Sequence, residues 1–348
     1  QKCFEDILGP MLYKKLLQYL DDSLLHAKDE TKLLDALDQY FGILHKHNVK
    51  LHPDKFVLFA KALTWCGKQV SERGLRPSPE RVSTVSAMPE PEWLSEMMHF
   101  VYGIAWFRGH IPHFAKKAAP LYDIWKKALE PYKRKTMTNA KRFKLVDIPE
   151  WHTVGRKAFH DVKEALEQAI TLAFFDPDKK TCVYGDANDE FWCLVLTQCE
   201  PGVERLPWKE QEGQHVCLVI ASGRFRHAQL RWGIPDKEGY VFGEQLPEYS
   251  HWVNGGKEPA AVFTDHHNLL AFYDDKVRPK SCTKPNRQRL TRWGINLRSL
   301  RYEIFPIGGE DNHVADLGSR WGNLYAGDKN AGPRVVTKAW MSVRAKEE

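Results

Sequence analysis

The segment TCVYGDAND, residues 181–189, places an apolar run directly before an acidic residue, Asp186. The segments FWCLVLTQC (191–199) and HVCLVIASG (215–223) follow it with the same apolar character. Short apolar runs that are separated by turn residues are typical of buried strands. The three segments therefore predict three consecutive strands of one sheet.

Strand-like and helix-like segments alternate after these three strands. AAVFTD (260–265) and RYEIFPI (301–307) predict further strands, and helical patterns lie between them. Before the first strand, RKAFHDVKEALEQAI (156–170) repeats apolar residues at helical spacing. Strands in succession, followed by helices that alternate with strands, predict an α/β (α+β) fold with a mixed sheet covered by helices.

Four carboxylates stand at the ends of predicted strands or near the starts of predicted helices. In chain order they are Asp186, Glu238, Asp265 and Asp316. An acid at the end of a buried strand is unfavourable unless positive charge meets it. Four such acids could hold two divalent ions about 3.5–4 Å apart, an arrangement that supports in-line phosphodiester hydrolysis. Oxygen ligands suit Mg²⁺ or Mn²⁺. Taken singly, each acid is more often a surface or capping group, so the prediction depends on their order.

Two adjacent acids, Asp21 and Asp22, interrupt the apolar segment LLQYLDDSLLHA (16–27). Neighbouring carboxylates repel each other and resist burial. A tight hairpin turn that presents them to a divalent ion would explain the pair. For the segment taken alone, an exposed acidic pair in a loop is the more common explanation, and only the rest of the chain can decide between the two.

Two basic stretches flank the predicted acidic metal site. Residues 108–144 contain eleven Lys or Arg and only two acids, and residues 276–301 contain nine basic residues and no acid. Such runs are often solvated surfaces. On either side of an acidic metal site they are better explained by phosphate contacts.

The composition limits the class of protein. A chain of 348 residues with 43% hydrophobic residues predicts two or three compact domains. The seven cysteines have no CxxC spacing, which argues against a disulfide framework or a structural zinc site and predicts a reducing, intracellular compartment. A cytoplasmic particle or the nucleus would meet this condition. No segment has the roughly 20 consecutive apolar residues that cross a bilayer.

The ordered motifs resemble those of gypsy-type LTR retrotransposon Pol polyproteins. YLDD (19–22) resembles the Y-x-D-D box of reverse transcriptase, and TWCGKQVSERGLRPSPERV (64–82) resembles the segment that leads into its thumb. FVYGIAWFRGHIPHFAKKAAPL (100–121) resembles the thumb itself. Four further blocks resemble those of ribonuclease H, in the order DAND, DKEGY, TDHHNL and NHVADLGSR. The likeness extends to about residue 322.

The resemblance implies a division of the chain and a function. It implies an incomplete distal palm (1–76), a helical thumb with a basic linker (77–150), a ribonuclease H-like domain with a mixed five-stranded sheet (151–324) and a C-terminal tail or linker (325–348). It implies hydrolysis of the RNA strand of RNA–DNA hybrids with two Mg²⁺ or Mn²⁺ ions. RNA–DNA hybrid and template–primer are the implied partners, with a further copy of the chain or the remaining Pol segments as candidates.

The resemblance also assigns the site residues. It makes Asp186, Glu238, Asp265 and Asp316 the ribonuclease H metal ligands, and Asp21 and Asp22 the polymerase acids that bind metal. For nucleic-acid binding we predict six residues from the two basic stretches: Lys133, Arg134, Lys135, Arg287, Arg289 and Arg292.

Two departures from the family pattern keep an alternative open. Phe191, Trp192, Cys193 and Leu194 stand where the family has small residues, and Gly318 interrupts the helix that carries Asp316. Bulk after Asp186 could crowd a hybrid, since glycine is what permits close backbone approach. The alternatives are a decayed or co-opted remnant that only binds nucleic acid, and a polymerase fragment that only assembles with an intact copy.

The polymerase box is expected to lack activity in this chain. The family supplies a further metal-binding carboxylate from an earlier palm strand, and only Glu5 and Asp6 precede Tyr19 here, in a helix-like segment. Two-metal phosphoryl transfer needs that carboxylate. We therefore expect no primer extension from residues 1–348.

Overall fold

The computed structural model describes residues 2–211, 213–264, 284–307 and 339–344. The chain divides into two compact units, of which one holds residues 1–81 and 329–348 and the other holds residues 82–328. Within the described ranges, no helix combines the length and the apolar character required to cross a bilayer.

Helices and strands alternate along both units. The helices in the described ranges are α1 (Lys2–Leu8), α2 (Glu30–Lys46), α3 (Pro79–Ser86), α4 (Leu94–Ala105), α5 (Phe114–Ala128), α6 (Met137–Ala140), α7 (Arg156–Glu167), α8 (Trp208–Gln211), α9 (Ile234–Tyr240), α10 (Ser250–Asn254) and α11 (Lys284–Leu297). The strands are β1 (Leu16–Tyr19), β2 (Asp22–Ala27), β3 (Val57–Ala60), β4 (Ala62–Trp65), β5 (Lys68–Ser71), β6 (Gly74–Pro77), β7 (Lys180–Ala187), β8 (Phe191–Cys199), β9 (Val216–Arg224), β10 (Ala260–Thr264), β11 (Tyr302–Pro306) and β12 (Ala339–Arg344).

The first unit contains two small sheets. One has the strand order β1-β2-β12-β3, and the other has the order β4-β5-β6. Helix α2 packs on the first sheet, and its N-terminus is capped by Asp29, whose carboxylate accepts a hydrogen bond from the backbone N–H of Lys32 at 2.9 Å. Tyr40 on this helix donates a hydrogen bond to Ser23 of β2 at 3.1 Å.

A helical core fills the first half of the second unit. Helices α4, α5 and α7 bury one continuous apolar cluster that runs from Val85 to Leu166. Trp151 begins a π-helical turn that leads into α7, and this side chain is part of the same cluster. The predicted division at residues 150 and 151 therefore runs through a single core.

The second half of the unit is built on a five-stranded sheet in the order β11-β10-β7-β8-β9. Strands β7, β8 and β9 are antiparallel neighbours, whereas β10 runs parallel to both β7 and β11. The predicted mixed sheet of five strands is confirmed.

The two faces of this sheet bury different clusters. Val183 of β7 faces a cluster formed with the segment that follows α9, while Tyr184 faces the opposite cluster. Gly185 of β7 lies against the ring of Phe242, so close that a Cβ atom there would fall 2.5 Å from the ring. The glycine before Asp186 thus lets the helical segment approach the strand.

The bulky residues after Asp186 are accommodated by the neighbouring strand. Trp192 of β8 lies directly opposite Gly223 of β9, and a Cβ atom on Gly223 would fall 2.5 Å from the indole. Cys193 and Leu194 are buried within the sheet. The indole therefore fits within the sheet because β9 has a glycine opposite it, and the crowding of a hybrid stays a prediction.

Gly223→Ala tests this accommodation. We expect the free energy of unfolding to fall by about 1–3 kcal/mol, because the added methyl group overpacks against the indole. Chemical denaturation measures the change. Gly103→Ala is the matched control, since nothing lies within 4 Å of its Cβ position in α4, and it should stabilise the helix by roughly 0.5–1 kcal/mol. An equal effect of the two substitutions would contradict this packing.

Candidate active site

Asp186 lies at the end of β7, one residue before the strand ends, and its side chain is exposed. It is paired in register with Cys193 of β8. The hairpin that follows is tightened by Asn188, whose side chain accepts hydrogen bonds from the backbone N–H groups of Glu190 and Phe191 at 3.0 and 2.8 Å. The sequence therefore presents this acid at the end of the central strand, next to a hairpin held by hydrogen bonds.

Glu238 lies in α9, a helix that contacts β7. Pro235 stands in the first turn of this helix, where the absence of an N–H carries no penalty. The side chain of Glu238 is half-buried. Because α9 packs beside the strand that carries Asp186, the fold brings the first two predicted acids to neighbouring elements.

The residue before Glu238 attaches α9 to the hairpin after Asp186. The side chain of Lys237 is only 3% exposed, and its Nζ donates a hydrogen bond to the backbone carbonyl of Asp189 at 2.8 Å. The same Nζ lies 3.4 Å from the Asp189 carboxylate and 5.8 Å from the centre of the Phe225 ring. A buried ammonium group needs such partners, so this contact fixes the start of α9 against the hairpin.

Asp236 attaches α9 to α11. Its carboxylate is buried and lies 3.2 Å from the guanidinium of Arg289, which stacks on Trp232 at 4.2 Å. Burial raises the pKa of Asp236, and the charge of Arg289 opposes that rise. Consecutive residues of this helix therefore contact α11 and the hairpin.

The other two predicted acids, Asp265 and Asp316, lie outside the described residues. Asp265 directly follows Thr264, the last residue of β10, which is the strand beside β7.

A cavity of about 560 Å³ opens beside Asp186. Its walls are formed by α5, by α7 and the π-helical turn before α7, and by the β7–β8 hairpin. Its lining residues that can carry charge are His113, Lys116, Lys117, Lys157, Asp161 and Asp186. Lys157 forms an ion pair with Asp161 at 2.7 Å. The cavity therefore brings a group of basic side chains next to an exposed acid.

His113 lines this cavity immediately before α5. Its backbone has φ 53°, in the left-handed region. Burial lowers the pKa of His113, and the charges of Lys116 and Lys117 lower it further, whereas the charge of Asp186 opposes them. The Nε2 atom is buried with no hydrogen-bond partner in the described part of the chain. These surroundings therefore favour the neutral form of the imidazole.

Helix α5 is attached to the sheet by charged and polar contacts. Arg224 of β9 binds both carboxylate oxygens of Asp123 at 2.7 and 2.8 Å, and it also binds Glu190 of the hairpin at 2.8 Å. The backbone N–H of Ala115 donates to the Ser222 hydroxyl at 3.2 Å. These contacts hold the basic start of α5 at the mouth of the cavity.

The six basic residues predicted to bind nucleic acid differ in their surroundings. Lys133, Arg134 and Lys135 are exposed between α5 and α6, and Arg292 is exposed on α11. Arg289 is instead largely buried, with 17% of its side chain exposed, and contacts Asp236 and Trp232. The side chain of Arg287 lies outside the described residues.

Asp21 and Asp22 lie at the end of a hairpin in the first unit. Tyr19 of β1 pairs with Asp22 of β2, and Leu20 has φ 51°. Asp21 is exposed and Asp22 is half-buried. The two acids therefore lie at a hairpin turn, which is one of the two arrangements that the sequence left open.

Sequence reasoning did not single out the cavity residues. Lys116 and Lys117 fell within a long basic stretch, and Lys157 lies on a helix that reads simply as amphipathic. Their common feature is proximity to one strand end, which follows from the packing of α5 and α7 and not from any spacing. The sequence feature that could have indicated the cavity is the pair Lys116 and Lys117, which follows His113 within about one helical turn.

The comparisons with known proteins agree with the sequence motifs. Residues 176–300 match the family described as the RNase H-like domain found in reverse transcriptase. The transposon Tf2-3 polyprotein of Schizosaccharomyces pombe is 26% identical over 314 residues, which cover 90% of this chain and 21% of that polyprotein. The Tf2-7 polyprotein is 25% identical over the same length. The resemblance to gypsy-type retrotransposon polyproteins is confirmed, and the chain spans about a fifth of the length of these relatives.

Solved structures show the same fold. The foamy viral protease-reverse transcriptase in complex with an RNA/DNA hybrid matches with a TM-score of 0.65 and 16% identity, covering 88% of this chain and 37% of that chain. The same enzyme in complex with dsDNA matches with a TM-score of 0.65 and covers 57% of that chain. The sheet and its helices therefore have the ribonuclease H-like fold of a retroviral reverse transcriptase.

Lys237→Met tests the attachment of α9. The substitution keeps the apolar stem but removes the buried donor to Asp189, so we expect the free energy of unfolding to fall by about 1–3 kcal/mol. Urea denaturation measures this change. Lys257→Met serves as control, because this side chain is 77% exposed in its ion pair with Asp178 and should change stability by less than about 1 kcal/mol. If the two variants lose the same stability, the buried contact is not what holds α9.

Proposed function

We propose that this chain is the ribonuclease H part of a retroelement reverse transcriptase and hydrolyses the RNA strand of RNA–DNA hybrids. The observation that carries the proposal is the exposed carboxylate of Asp186 at a strand end, beside a cavity lined by lysines. The match of residues 176–300 to the reverse-transcriptase RNase H-like domain supports the reaction class.

The described acids fit a hard divalent ion. Asp186 offers an exposed carboxylate and Glu238 offers a second from the helix packed on the same strand. Carboxylate oxygens are the ligands that Mg²⁺ and Mn²⁺ prefer. With Asp265 and Asp316 as the remaining ligands, two bound ions would supply an activated water and neutralise charge on the leaving 3′ oxygen. The expected products carry 5′-phosphate and 3′-hydroxyl ends.

The protein's own groups would bind and orient the substrate. Lys116, Lys117 and Lys157 line the cavity beside Asp186 and would contact phosphates next to the scissile bond. The exposed Lys133, Arg134, Lys135 and Arg292 would extend this basic track along the backbone. A hybrid with A-like geometry is recognised by shape, phosphates and 2′-hydroxyls, so cleavage should show little sequence preference.

As a segment about a fifth the length of its curated relatives, the chain would act together with other Pol segments. In that setting Asp21 and Asp22 would hold metal at the end of the β1–β2 hairpin as part of a polymerase site.

Asp186→Asn and Glu238→Gln test the hydrolytic site. Each should abolish Mg²⁺- or Mn²⁺-dependent cleavage of the RNA strand of a labelled hybrid, because the neutral amide removes a negative charge that helps to hold the divalent ions. Binding of the hybrid in the absence of divalent metal should remain nearly unchanged, since the lysines and arginines supply it.

Asp178→Asn is the matched control. This exposed acid pairs with Lys257 near the other end of β7 and should leave cleavage unchanged. Equal cleavage by wild type and Asp186→Asn would show that the metal-site assignment is wrong. If the wild-type chain binds the hybrid but never cleaves it, the result would instead support the alternative that the chain is a remnant that only binds nucleic acid.

The salt dependence of hybrid binding tests the basic cavity. Wild-type affinity should fall with salt with a log–log slope of magnitude above about 3, and Lys116→Ala/Lys117→Ala should reduce that magnitude by about 1–2. Fluorescence anisotropy over a series of salt concentrations measures the slope.

The matched double variant is Lys179→Ala/Lys257→Ala, which removes the same charge from side chains paired with Glu200 and Asp178. It should leave the slope nearly unchanged. A salt-insensitive wild-type affinity would assign the cavity to a protein partner and not to nucleic acid.

A further inference from the structure

A buried cluster of metal-binding side chains lies at the end of the sheet opposite Asp186. Cys182, Cys199 and His215 each place one ligand atom within 4.8 Å of the others. Their side chains are 0%, 1% and 5% exposed. They lie on β7, at the end of β8 and immediately before β9. No proposed step of hydrolysis uses these residues.

The register of the sheet brings these three residues together. Cys182 pairs with Thr197 and Lys180 pairs with Cys199, so the two cysteines are diagonal neighbours on adjacent strands. Gln198 pairs with Val216, which places His215 beside Cys199. Residues so far apart in the chain have no recognisable metal-binding spacing. The cluster is therefore visible only after the strands are paired.

The distance between the sulfur atoms fits a shared ion. The Sγ atoms of Cys182 and Cys199 lie 3.7 Å apart. Two thiolates that each bind a tetrahedral zinc ion at about 2.3 Å would place their sulfurs roughly 3.8 Å apart. A disulfide bond would need about 2.05 Å. The pair is thus spaced as ligands of one ion, and not as a disulfide.

The surroundings of His215 leave one ring nitrogen suited to bind metal. The amide nitrogen of Gln211 donates to the backbone carbonyls of Glu204 and Leu206 at 3.3 and 2.8 Å, which fixes the orientation of its side chain. Its Oε1 therefore faces His215 Nε2 at 3.2 Å and accepts a hydrogen bond from the Nε2–H group. Nδ1 then carries the lone pair, which now accepts a hydrogen bond from Thr197 at 3.0 Å. A metal-binding histidine typically has such an acceptor on its other nitrogen.

A buried carboxylate lies near the three residues but is not part of their group. Glu204 is 3% exposed. Its Oε2 accepts a hydrogen bond from the backbone N–H of Gly202 at 2.7 Å, and its Oε1 lies 3.3 Å from Arg205. Two thiolates already balance the charge of a divalent ion, so the fourth ligand need not be an anion.

We propose that Cys182, Cys199 and His215 Nδ1 form a zinc site that joins β7, β8 and the start of β9, with a water molecule as the fourth ligand. Binding releases the two thiol protons to solvent and changes no oxidation state. The site is separate from the acids near Asp186 and takes a softer ion, because thiolate and imidazole ligands select zinc over magnesium. It rests on no part of the proposed nuclease function.

The zinc content of the full chain tests this site. Protein purified from zinc-supplemented cells and dialysed without chelator should carry about one zinc per chain by atomic emission. Replacement of zinc by Co²⁺ should give the sulfur-to-cobalt absorption of a thiolate site. Cys182→Ser and Cys199→Ser should each lose the ion and the absorption.

Cys217→Ser is the matched control, because Cys217 is a buried cysteine of the same apolar cluster and lies outside the group of ligands. It should retain zinc. If wild type carries no zinc above the buffer and gives no cobalt–sulfur absorption, the proposal is wrong. Zinc retained in both serine variants would also overturn it. Should a serine variant fail to fold, the wild-type metal content and cobalt spectrum alone decide the question.

Discussion

The hydrogen bond between the buried ammonium of Lys237 and the backbone of Asp189 is the constraint on which the site depends. An ammonium group removed from water is unfavourable unless its charge meets fixed partners. The hairpin after Asp186 supplies such a partner, and it does so only while α9 lies against β7. The hairpin, the position of α9 and the position of Glu238 near the strand therefore depend on one another.

Three neighbouring residues of α9 have separate tasks because successive side chains of a helix point about 100° apart. Asp236 contacts Arg289 of α11, Lys237 contacts the hairpin, and Glu238 follows on the half-buried side. The first two residues hold the helix in place on both sides, which fixes the position of Glu238 on the helix that contacts β7.

The sheet was predictable from sequence because its strands are short apolar runs with clear breaks, and because Asp186 stands visibly at the end of one of them. The partners of individual side chains were not predictable. Arg289 belongs to a basic run, yet it stacks on Trp232 and pairs with Asp236 because those residues lie within reach only in the folded chain. In the same way, the sequence does not indicate that the indole of Trp192 packs on Gly223 of the neighbouring strand. Periodicity reports which face is apolar, whereas contacts between distant segments depend on register and packing.

The cavity beside Asp186 has walls from two parts of the chain. The strand and hairpin belong to the matched segment 176–300, whereas α5 and α7 precede it. Arg224 and Ser222 attach α5 to the sheet from within the matched segment. The boundary of the matched domain thus cuts through a physical unit. In evolutionary terms, an exchange of the ribonuclease H-like domain alone would leave every lysine of the cavity behind, since all three lie on α5 and α7.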